Sequence, residues 1–142
     1  MSKRTTPKVI YVIAVLTALT LLRAQTLFFF KTLEMNGGAN PDAWISPWIS
    51  DSILGLLVPV IIYFLLKGSG LKIWALLIMY SALGTFDYAN GLATQWINPL
   101  SAETASPEFV FGSLIFTFTI QLIATVLLFR SDVVDYFLEP NS

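Results

Sequence analysis

Asp87 stands in an apolar run long enough to cross a bilayer, and Arg23 stands in another. A carboxylate at membrane depth costs about 2.5–3.5 kcal/mol on insertion scales unless a partner or water meets it. The chemistry open to these two groups is ion pairing, hydrogen bonding to a polar ligand, and proton exchange at the carboxylate. The surrounding stretch, Tyr80 to Trp96, adds Asn90 one helical turn beyond Asp87 and Gln95 near its end. Tyr80, Gly84, Asp87, Gly91 and Thr94 recur every three or four residues, so a helix sets them on one face. Glycines on such a face let a second helix or a ligand approach the backbone.

Other chemistries are missing. The chain has no cysteine and no histidine, which removes thiolate nucleophiles, imidazole bases and the usual zinc, haem and iron–sulfur ligands. It has no nucleotide-binding glycine loop, no HExxH, no GxSxG and no mid-helix lysine for a Schiff base. No catalytic residue, metal ligand or cofactor is expected. A net charge of -1 with scattered basic residues points away from nucleic acid.

The elements that must position these groups follow from composition. Of 142 residues, 56% are hydrophobic and 12% charged. Several apolar runs of about twenty residues mark a membrane class. The pattern predicts one all-α membrane domain over residues 1–142, with four transmembrane helices at about 9–30, 51–66, 71–96 and 107–129 and a tail at 130–142. Gly68-Ser69-Gly70 joins the second and third helices as a hairpin. Pro59 is expected to kink the second. Ser106-Pro107-Glu108 reads as N-cap, proline at the first helical position and an acid in the first turn. Lys31 to Ser50 reads as a loop, with Trp44 and Trp48 either anchoring at the lipid headgroups or closing a site as a lid. Phe28-Phe29-Phe30 reads as packing at the outer interface. The tail's Val133, Val134, Tyr136, Phe137 and Leu138 form an apolar cluster for the membrane surface or a partner.

Four crossings in an antiparallel bundle place both termini on one side. Lys3, Arg4, Lys8, Lys67, Lys72 and Arg130 fall on that side and only Lys31 on the other, which predicts cytoplasmic termini. Arg23 and Asp87 then lie at comparable distances along helices that run the same way, at about 1.5 Å per residue. The spacing predicts an Arg23–Asp87 ion pair at the base of a polar pocket opening outward, with Asn90, Gln95 and Tyr80 on its walls. Asp51 stands above it, or else serves only as a helix cap. On the fourth helix Ser113, Thr117, Gln121 and Thr125 recur every fourth residue as a polar stripe facing the bundle.

Three functions fit such a design. The first is a non-catalytic membrane subunit or a ligand- or lipid-binding module that uses the outward pocket. Its partners would be membrane lipid, further copies in a homo-oligomer or a larger membrane complex, and a small-molecule or lipid ligand. The second is a small oligomeric proton-coupled transporter in which Asp87 exchanges a proton and Arg23 releases it; no inverted repeat accompanies this. The third is an intramembrane lipid-modifying enzyme with carboxylates as acid and base, but no nucleophile or metal set supports it. The expected location is the cytoplasmic membrane of a bacterium or archaeon.

Overall fold

A computed structural model describes residues 5–138. Within them the chain is helical with no strand. Helix α1 (Lys8–Leu19) passes into a 3₁₀ segment, Thr20–Gln25, and on through the short turns α2 (Thr26–Phe29) and α3 (Leu33–Asn36). A 3₁₀ turn at Pro41–Trp44 leads into α4 (Ile45–Lys67). Helices α5 (Leu71–Ile97), α6 (Pro107–Leu127) and α7 (Ser131–Leu138) follow. Lys3, Arg4 and the tail's residues 139–142 lie outside the described residues.

Among the described residues, three stretches are long and apolar enough to cross a membrane: Lys8–Asn36, Pro41–Lys67 and Pro107–Leu127. Helix α5 is longer than any other single helix, at 27 residues, but is not among them. Asp87, Asn90, Thr94 and Gln95 dilute its apolar content. The long helices nevertheless close a ring, α1 packing on α4 and α6, α4 on α5, and α5 on α6.

Two stretches differ from the expected helices. The first run is not one regular helix, because its ladder tightens to 3₁₀ where Arg23 lies. The Thr20 hydroxyl donates to the Thr17 carbonyl at 2.7 Å and the Thr26 hydroxyl to the Arg23 carbonyl at 2.9 Å. Side-chain hydroxyls of this kind compete with the helical backbone pattern. Lys31–Ser50 is mostly helical rather than a loop, since α3 extends the first run and α4 starts at Ile45. Ser46-Pro47 thus lies in the first turn of α4, where proline's missing N–H has no partner to lose. At α6 the Ser106 hydroxyl caps the Phe109 amide at 3.2 Å with Pro107 first in the helix.

The bundle has a turn end, at Gly68–Gly70, and a loop end, where Asn36–Pro41 and Asn98–Ser106 meet. At the turn end Ile10, Ile13, Val58, Leu65, Leu77 and Leu128 make a closed apolar core. Helix α7 seals it: Val133 and Phe137 are both 0% exposed. The Gly70 amide donates to the Phe137 carbonyl at 2.7 Å. Val133, Tyr136 and Phe137 of the tail's apolar cluster therefore dock on the chain's own bundle. Val134 and Leu138 stay outside that core.

At the loop end Leu33, Trp44 and Trp48 form a second, smaller core. Trp44 is 3% exposed and its Nε1 donates to the Asn98 carbonyl at 2.9 Å. The two tryptophans thus pack inward and Trp44 ties the loops, which the headgroup-anchor expectation did not foresee. Phe28, by contrast, is 82% exposed, in keeping with an interface position. Between the two cores lies a polar layer.

Candidate functional site

Arg23 is carried across the bundle by the 3₁₀ segment, which lies against α4 at Gly55. Its guanidinium reaches between α4 and α5. Nε donates to Asp51 Oδ1 at 2.8 Å and Nη2 donates to Asp87 Oδ2 at 2.5 Å. Its Cζ stands 4.2 Å from the ring centroid of Tyr88, a cation–π distance. The other Asp87 oxygen, Oδ1, accepts from the Ser50 hydroxyl. One guanidinium is therefore shared by two carboxylates from two other helices. Charge-assisted bonds of this kind are about twice as strong as neutral ones.

The centre is nearly closed to its surroundings. The side chain of Arg23 is 1% exposed, that of Asp87 10% and that of Asp51 19%. The sequence reading placed the pair at the base of an open pocket, whereas this guanidinium is packed over. Asp51 is the most exposed of the three groups. It lies within α4, two turns past its start, so the helix-cap role has no place here.

The remaining candidates divide. Tyr80 is buried on the α4 side of α5, but its hydroxyl donates to the Leu54 carbonyl at 2.8 Å rather than to either carboxylate. Gln95 is 1% exposed and belongs to the loop end, accepting from the Leu100 amide at 3.1 Å. Asn90 is exposed, outside the buried group formed by Arg23, Asp51 and Asp87. Counting from Gly84 and Gly91 at the centre of the buried face, Asn90 sits about 100° or more round the helix. On α6 the polar stripe splits in the same way. Gln121 Nε2 donates to the Ser81 hydroxyl at 2.8 Å, and the Thr125 hydroxyl meets those of Ser81 and Thr85 at 2.9 and 3.1 Å. Thr117 and Ser113 instead bond carbonyls of their own helix, and Ser113 is exposed.

Sequence reasoning missed Ser50, Tyr88 and Ser81. Ser50 was hidden by a helix start set too late; the Ser46-Pro47 pair, which repeats the Ser106-Pro107 pattern, is the signal that would have found it. Tyr88 sits four residues beyond Gly84 on the glycine-marked face, but an aromatic in an apolar run reads as filler. Among the described residues no three His, Cys, Asp or Glu side chains gather as metal ligands.

What the arrangement can do follows from its charges. A buried group with one positive and two negative members holds three helices together and has one positive charge too few. A proton or a cationic group could balance it. Comparison with protein-family models, curated proteins and solved structures finds no match for this chain.

Proposed function

We propose that this chain is an integral membrane protein of four alternating spans with both termini cytoplasmic, acting as a non-catalytic binding or assembly module through Arg23, Asp51 and Asp87. The spans are the first run, α4, α5 and α6. The outward faces of all four are apolar, with Leu22 72%, Leu56 60%, Phe86 72% and Phe116 61% exposed. Lys8, Lys67, Lys72 and Arg130 gather at the turn end and Lys31 alone at the loop end, which supports a cytoplasmic turn end.

One observation carries the functional part: a guanidinium 1% exposed bridges two carboxylates at mid-bundle. Ionisable groups at membrane depth are functional candidates by default because packing alone is served as well by apolar residues. The test is a density map and native mass spectrum of the chain purified in lipid. A ligand or neighbouring chain at this centre, lost in Asp87→Asn while the fold is kept, is the expected result. A bare monomer whose Asp87→Asn form keeps every cellular association would overturn it. The absence of cysteine makes the topology directly testable. Single cysteines at Lys72 and Glu103, both exposed, should label from opposite sides of the membrane.

A second reading, proton-coupled transport, is favoured by the charge count. Two carboxylates share one guanidinium, and the other titratable groups near them are Tyr88 and Tyr80. Uptake into liposomes driven by a pH gradient and abolished by Asp87→Asn would select it over the first.

A further inference from the structure

Among the described residues, two buried atoms near this centre have no hydrogen-bond partner: Arg23 Nη1 and Gln121 Oε1. They come from different helices and converge on one spot. A β-carbon built on Gly84 would stand 3.2 Å from Nη1 and 3.2 Å from Oε1. Both residues are withdrawn from the surface, Arg23 at 5% and Gln121 at 1% exposure as whole residues. Nη1 is a donor seeking an acceptor, and Oε1 is an acceptor seeking a donor. Buried polar groups in folded proteins nearly always find partners, and internal water is the usual one where protein cannot reach.

We propose that a single water molecule binds between Arg23 Nη1 and Gln121 Oε1 beside Gly84. Its oxygen accepts from the guanidinium, and one of its hydrogens goes to the amide oxygen. Glycine is needed there because a methyl would crowd both groups at once. Turning the Gln121 amide over does not remove the site. Oε1 would then accept from Ser81, but the amide NH₂ would face Nη1, and two donors would need an acceptor oxygen between them.

The bridge has a structural consequence. The ion cluster by itself joins the first run, α4 and α5. Gln121 is on α6 and already holds Ser81 of α5 at 2.8 Å, with Thr125 beyond it. The water thus connects the cluster to α6, and one hydrogen-bonded line runs from Asp51 through Arg23 and Gln121 to Ser81. That line ends at a small cavity lined by Thr17, Tyr80, Ser81 and Leu128, among others. Water is the occupant of choice over a larger ligand because a β-carbon on Gly84 would already stand 3.2 Å from both groups.

The inference rests on the buried centre of the reading above, but not on what that centre binds. It is tested by water-edited solid-state NMR of the full, ¹⁵N-labelled chain in lipid bilayers. Transfer from water to the Arg23 guanidinium and to the Gln121 amide is expected at short mixing times. It should fall severalfold in Gly84→Ala. Gln121→Leu leaves Gly84 intact and should lower the Arg23 transfer severalfold if Gly84→Ala fails to fold. Absence of transfer in the wild type, a direct Arg23–Gln121 contact in its place, or transfer unchanged in Gln121→Leu each overturns the proposal. A bare monomer with no ligand or partner at the centre, and with the transfer intact, would sink the functional reading alone.

Discussion

Ala24 lies so close to Gly55 that a β-carbon on the glycine would fall 2.5 Å from the Ala24 backbone nitrogen. The segment carrying Arg23 therefore rests backbone to backbone on α4, and this contact sets how far the guanidinium reaches. Gly55→Ala should push the segment away and destabilise the chain by about 1–3 kcal/mol, the usual scale of overpacking. Unfolding in lipid bicelles measures it. A stability equal to wild type would show that the approach is not constrained there.

The shared guanidinium predicts an order among charge variants. Asp51→Asn leaves Arg23 paired with Asp87, and Asp87→Asn leaves it paired with Asp51, so each should be mild. Arg23→Gln strands two carboxylates, and the double Asp51→Asn, Asp87→Asn variant strands the guanidinium. Each of these two should cost about 3–5 kcal/mol, as removing one side of a buried pair does. Folded yield and thermal unfolding in detergent give the ranking. Equal losses for all four variants would contradict the three-group description.

Tyr88 contributes its ring face and not its hydroxyl to Arg23. Tyr88→Phe should leave stability unchanged, while Tyr88→Leu should lose about 0.5–2 kcal/mol. If both lose the same amount, the hydroxyl matters and the ring contact does not.

Trp44 ties the loop end through its bond to the Asn98 carbonyl. Trp44→Phe keeps most of the packing but leaves that carbonyl without its donor, a loss of about 1 kcal/mol. Hydrogen exchange should quicken at the Leu100 and Ser101 amides, which bond Gln95 and the Asn36 carbonyl. The amides around Leu77 should not change.

Phe137 is 0% exposed at the turn end. Phe137→Ala should release α7 from the bundle, at a cost of about 3–5 kcal/mol. Limited proteolysis of the chain in lipid should then cut near Arg130 faster than in the wild type. Resistance in the variant would show that α7 is held by other means.

The sequence by itself determined the helical class, the apolar runs and the tight turn at Gly68–Gly70, because these depend on hydropathy and on residues a few positions apart. It also brought Arg23 and Asp87 to one level, since a helix rises by a fixed step and a lone charge in an apolar run has few partners. It did not determine which side of each helix faces inward. Asn90 and Gln95 look alike in the sequence, yet one is exposed and the other 1% exposed. Only the tertiary packing decided that, by setting Gly84 and Gly91 at the centre of the buried face. Packing also decided that Arg23 serves two carboxylates. The close approach of Ala24 to Gly55 brings the guanidinium to Asp51 as well as Asp87, and such a long-range backbone contact leaves no local periodic mark.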